Sequence, residues 1–141
     1  MADLTITTGA FRIVRDDPED ERTYDAAAAY VPALGDLVAI SGDNEVDQCD
    51  ATDANALVEP VGIVTNVQAV RTAAGAAGYR LSVARRALCE GFTGLTAGAL
   101  FYNSTTAGAI ESVDPTTTGV TGKVVGVAQN ATQIDFTLPS L

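Results

Sequence analysis

Gly91–Asn103, GFTGLTAGALFYN, together with Lys123–Asn130, KVVGVAQN, decides how this chain is read. Gly94-Leu95-Thr96-Ala97-Gly98 puts two glycines into a tight bend, where left-handed backbone is open to glycine without steric cost. Ala99-Leu100-Phe101-Tyr102 is then a β-rich run. After a polar excursion, Val124-Val125-Gly126-Val127 returns as a second strand. A weaker copy lies upstream: Ala33–Ser41, ALGDLVAIS, returning at Pro60–Asn66, PVGIVTN. Gly35 to Gly62 is 27 residues, Gly98 to Gly126 is 28, and the copies stand 63 to 64 residues apart. The spacing predicts one β-unit used twice.

Outward from these units, more strands are legible. Tyr79–Cys89 alternates, with Tyr79, Leu81, Val83, Ala87 and Cys89 on one parity and Arg85 interrupting, which predicts a bulge or strand end near Ala84–Arg86. Thr132–Leu138 sets Ile134, Phe136 and Leu138 against Gln133, Asp135 and Thr137, the pattern of a half-buried antiparallel strand. The excursion Ser104–Val113 carries a minor strand, and Asp114–Gly119 turns back. Ala73–Gly78 reads as a flexible hairpin tip. Phe11–Arg15 is a further strand candidate. Residues 2–8, ADLTITT, alternate too, either as an edge strand or as an arm that adds to another subunit's sheet.

Asp16–Glu21 holds five carboxylates in six residues and is open to two readings. Asp17 and Pro18 could start a short helix running through the alanines near 18–29. Alternatively the acids form a loop, with Thr23-Tyr24 extended after it. With turns every 8–12 residues and no βαβ spacing, the expectation is an all-β, single-domain sandwich or small barrel over 1–141, with 1–9 a possible N-terminal arm. It has about nine to ten short strands, a duplicated β-unit and at most one short helix.

Composition narrows the function. Hydrophobic residues make up 47%, mostly Ala and Val, and aromatics only 6%, so the core is expected to be thin and β-branched. One Lys and seven Arg face eighteen acids, for a net charge of −10. Eight cations do not assemble a phosphate-binding face against that field, so neither nucleic acid nor an anionic membrane is expected as a partner. The longest apolar stretch, Ala26 to Leu34, contains Pro32 and is far too short to span a bilayer. The N-terminus MADLTITTGA lacks the features of a leader, and synthesis in a cytoplasm is expected.

Chemistry is sparse. With no histidine, the commonest general base and the partner of a Ser or Cys nucleophile are missing, and no phosphate-loop or dinucleotide motif is present. Asp43–Asp50 alternates carboxylates like a calcium loop, but Gln48 stands where the turn glycine belongs and Ala54 where the bidentate Glu belongs. No enzyme activity, metal or cofactor is expected. Cys49 and Cys89 read as two small buried apolar side chains, with a disulfide as the alternative. Four of the eight cations fall between Arg71 and Arg86. That ribbon either balances the acidic loops or docks an acidic partner.

Gly94, Leu95, Thr96, Gly98, Tyr102, Gly108, Ile110, Val125, Gly126, Val127 and Ala128 form a phrase that resembles tailed-phage structural proteins, especially small capsid decoration (cement) proteins and some head- or tail-fibre domains. Gly35, Asp36, Val38, Gly62 and Ile63 match it more loosely. The resemblance implies a non-enzymatic virion protein on the capsid exterior, commonly a homotrimer, whose partners are the major capsid protein and itself. The residues singled out for capsid or subunit contact are Leu4, Ile6 and Phe11 on the N-terminal segment and Arg71, Arg80, Arg85 and Arg86 on the basic ribbon. The alternative is a fibre or receptor-binding β-module that recognises a host surface glycan.

Overall fold

A computed structural model describes residues 12–16, 21–52, 56–71, 77–113 and 122–138. The expected strands at 2–8, the arm over 1–9, and the turn at 114–119 lie outside these residues, as do Leu4, Ile6 and Phe11.

The described residues form eleven strands and no α-helix, with a single 3-10 turn at Ala56–Val58. The strands are β1 Arg12–Asp16, β2 Glu21–Ala26, β3 Leu37–Gly42, β4 Glu45–Gln48, β5 Gly62–Arg71 and β6 Ala77–Ala84, then β7 Arg86–Glu90, β8 Leu100–Asn103, β9 Ile110–Glu111, β10 Val124–Ala128 and β11 Gln133–Thr137. β2-β4-β3-β5-β6 close into a barrel, and β1-β7-β11-β10-β8-β9 make an open sheet. Of the two expected architectures the small barrel is present, with an open six-stranded sheet packed against it through a joint core.

The duplication is visible in hydrogen bonds. Gly35 N donates to Val64 O (2.9 Å) and Gly98 N to Ala128 O (2.8 Å); Val64 N donates to Asp36 O and Ala128 N to Ala99 O, both at 2.9 Å. Gly35 and Gly98 turn the corners at φ 88° and 87°, the left-handed backbone that the sequence reading required of them. Register repeats as well: Leu37 faces Ile63 and Val38 faces Gly62 across β3–β5, as Leu100 faces Val127 and Phe101 faces Gly126 across β8–β10. In both copies the first strand forms a hairpin with a short strand and the return strand pairs with the next one, β5 with β6 and β10 with β11.

The copies differ in closure. In the first, β2 pairs β6 and then β4 in parallel at Asp25–Glu45 and Ala26–Val46, sealing the barrel. In the second, β7 pairs β11 in the equivalent way, but β9 is only two residues long and β1 occupies the other side of β7. The sheet stays open.

Two cores result. Tyr30, Val38, Val46, Val61, Val64, Leu81 and Val83 fill the barrel. Leu37, Ala39, Ile63 and Ala84 point out of it against Phe101, Val125, Ile134 and Phe136 of the sheet. β3 is buried on both faces, which explains why LVAI shows no polar alternation. The alternation in 79–89 breaks at Arg85 because the chain there leaves β6 of the barrel and enters β7 of the sheet.

The segment 21–26 resolves the two readings of the acidic stretch. Arg22, Thr23 and Tyr24 are strand, paired residue by residue with Val83, Ser82 and Leu81, and the helical alternative is not adopted there. Tertiary pairing overrides the local preference of the alanines; Asp17 and Pro18 lie outside the described residues.

Candidate functional site

The four arginines of the basic ribbon fall at different points from β5 to β7. Arg71 ends β5, and Arg80 lies near the middle of β6, where its side chain pairs with Asp25 across the strands at 3.5 Å. Arg85 sits at the crossing between barrel and sheet, its carbonyl accepting from Leu138 N at 3.0 Å, and Arg86 begins β7 opposite Thr137. Arg80 therefore belongs to the barrel and Arg86 to the sheet, with the crossing at Arg85 between them. Arg12 on β1 pairs with Glu90 on β7, and the guanidinium holds that carboxyl below its ordinary range.

Cys49 and Cys89 are both buried, with no disulfide between them, in the core that joins barrel and sheet. Burial pushes the Cys49 thiol up to about 12, with the Asn103 amide 4.0 Å away pulling weakly the other way. Buried in this way, the thiol packs as a small apolar side chain of the joint core. Among the described residues no cluster of three or more His, Cys, Asp or Glu is placed to hold a metal ion, and no helix is long and apolar enough to cross a membrane.

The buried polar residues act as fasteners. Asn103 accepts Lys123 N at 2.6 Å and donates to Val58 O at 3.2 Å, tying β8 to two loops. Glu111, 3% exposed, accepts from Ser104 Oγ (3.1 Å) and Thr105 Oγ1 (3.4 Å) through Oε1. Its Oε2 has no hydrogen-bond partner among the described residues.

The first apolar surface is the outer face of the open sheet. Leu100 and Val124, 46% and 45% exposed, stand on neighbouring strands, with Tyr102 and Val127 half-buried opposite them. The duplication gives this face a reference. In the first copy the pair equivalent to Leu100 and Val127 is Leu37 and Ile63, and both are fully buried against the sheet. One face of the repeated unit is therefore covered within the chain in one copy and left open in the other.

The second surface is the corner between β2 and β3. Ala26–Gly35 is ten residues without a charge, and it exposes Val31 (72%) and Leu34 (44%). Tyr30 anchors it: its ring is buried with the barrel core, and its hydroxyl donates to Asp36 Oδ2 at 2.7 Å, which also accepts Ala33 N at 3.0 Å. Burial, then the Asp36 carboxylate, pushes the Tyr30 hydroxyl far up, so it remains a donor. In sequence this stretch is legible only as a run too short for a membrane; its lack of charge beside Pro32, between Asp25 and Asp36, was the available signal of a surface.

No protein-family model matches this chain, and no curated protein or solved structure matches it either.

Burial lifts Asp36 above the ordinary carboxyl value of 3.8, against the hydrogen bonds from Tyr30 and Ala33 that lower it. A carboxyl lifted in this way binds its proton more tightly folded than unfolded. It therefore favours the fold at acid pH, and that contribution is lost as pH rises through the folded value. Asp36→Asn should remove this slope from the range just above 3.8. Urea unfolding of both proteins across that range checks it, and an identical pH dependence would contradict the assignment.

Proposed function

We propose that this protein is a non-enzymatic structural component of a tailed-phage virion that binds the outer surface of the mature capsid and stabilises it, assembling with copies of itself as a homo-oligomer, with a trimer expected. The observation that carries the reading is the open sheet face at Leu100, Tyr102, Val124 and Val127, whose counterpart at Leu37 and Ile63 is buried. Apolar side chains left uncovered in a row form a contact surface that a second copy can cover, with Asp135 of β11 facing Val127 at its border. The resemblance at Gly94–Ala128 to decoration proteins falls on this same copy, where Gly98 and Gly126 set its geometry.

Stabilisation follows from mass action. A ligand that binds only the mature shell at 100 times its Kd adds about 2.7 kcal/mol per site, and linked sites in an oligomer strengthen one another. Purified protein should cosediment with mature capsids that lack it, saturate at fixed stoichiometry, and raise the temperature at which they open. Native mass measurement should show an oligomer. Protein that stays in the supernatant, or that is monomeric at micromolar concentration, defeats the reading.

A further inference from the structure

The corner Ala27–Leu34 carries an inference that rests on the shell-binding reading and goes further. We propose that this corner is the docking loop: it seats Val31 and Leu34 in an apolar pocket with a cationic border on the partner protein, which in that reading is the capsid shell.

The duplicated unit supplies an internal control. The second copy makes the same turn into its first strand, closed by the same type of hydrogen bond, Ala99 N to Thr96 O (3.0 Å) where the first copy has Asp36 N to Ala33 O (3.2 Å). There the large apolar residues turn inward: Phe92 is buried, Leu95 packs on the core, and the exposed positions are Thr93, Gly94, Thr96 and Ala97. The first copy instead exposes Ala28, Ala29, Val31, Ala33 and Leu34. The fold therefore does not require apolar side chains at the tip of this corner. Exposed valine and leucine lower solubility, and a surface use accounts for them.

The loop is also held ready. Tyr30 N bonds Ala27 O at 2.9 Å, Gly35 N bonds Val64 O at 2.9 Å, and Asp36 clamps Tyr30 and Ala33 as described above. Most of the ordering entropy that a binding loop must lose is already lost in the fold, which favours affinity.

Charge indicates the occupant. Asp25, half-exposed and paired with Arg80 at 3.5 Å, stands at the start of the loop, and Asp36, which accepts from Tyr30 and Ala33, stands at its end on a chain of net charge −10. Carboxylates around an apolar tip match a pocket rimmed by Lys or Arg. A second copy would bring the same carboxylates against them, and an anionic lipid surface would be repelled.

The test uses cosedimentation with mature capsids lacking this protein. Val31→Asp and Leu34→Asp should each weaken binding by about 30-fold or more, the effect of losing a central apolar anchor. Both positions are solvent-exposed, so melting temperature should stay that of the wild type, and Thr96→Asp on the other corner should change binding by no more than about threefold. Binding of the wild type should weaken as salt rises. Variants that bind as tightly as wild type, or salt-independent binding, overturn the inference while leaving the shell reading intact. A native mass that falls in Val31→Asp would make a second copy the occupant and overturn it too. Wild-type protein that ignores the capsid removes the shell reading and this inference together.

Discussion

Gly62→Ala is expected to cost the fold about 3 kcal/mol or more, at the upper end of overpacking effects. A Cβ at Gly62 would lie 2.4 Å from Val83 Cγ1 and 2.7 Å from the carbonyl oxygen of Ala84. The second of these is backbone in the neighbouring strand, held by the β5–β6 ladder, and it has nowhere to go. Relief would demand separating two strands of a closed barrel. At the equivalent Gly126 the approach is looser, 2.9 Å to Ile134 Cγ2 and 3.0 Å to Asp135 O, and the open sheet has an edge through which to adjust. Gly126→Ala is therefore expected to cost about 1–2 kcal/mol. Urea midpoints of the two variants make the comparison. A larger loss at Gly126 than at Gly62 would mean that closure of the first copy, and openness of the second, does not govern their tolerance.

Phe136→Ala should produce the largest loss of any single truncation in the joint core, about 3–5 kcal/mol. Phe136 is fully buried on β11, between Ala87 of β7 and Gly126 of β10, and its ring meets that of Phe92 at 6.3 Å and 55°. Gly126 contributes no side chain to close the space, so the cavity stays open and the full cavity cost applies. Unfolding should nevertheless remain a single transition. Leu37, Val38 and Ala39 are consecutive, wholly buried, and divided between the two cores, so barrel and sheet share a strand that neither can lose alone. Denaturation followed by far-ultraviolet dichroism and tyrosine fluorescence tests both statements. A loss under about 1.5 kcal/mol, or a biphasic curve, would contradict them.

What could be read from the chain before any coordinates were those positions where backbone geometry leaves little choice of residue. Gly35 and Gly98 turn through left-handed φ, and Gly62 and Gly126 meet the next strand so closely that a Cβ forces a shift, so the repeat shows in glycine spacing although few other side chains agree. The alternation of Ile134, Phe136 and Leu138 was likewise legible, because a strand with one solvated face has period two. The Arg85 interruption marked a strand end, and the end proved to be the passage between the two layers.

The sequence by itself determined that this protein is all-β, built on a duplicated turn–strand unit, acidic and without histidine. Tertiary structure alone decided that the first unit closes and the second does not, since closure depends on β2 reaching β4, and Glu21–Ala26 reads locally as readily helical as extended. It also decided which apolar residues are core and which are surface. Leu37 and Leu100 occupy the same place in the repeat, and Tyr30 and Val31 are neighbours in one uncharged run, yet within each pair one is buried and the other exposed. Hydrophobicity is a property of the residue, whereas burial depends on what packs against it, and here that partner is often distant in sequence.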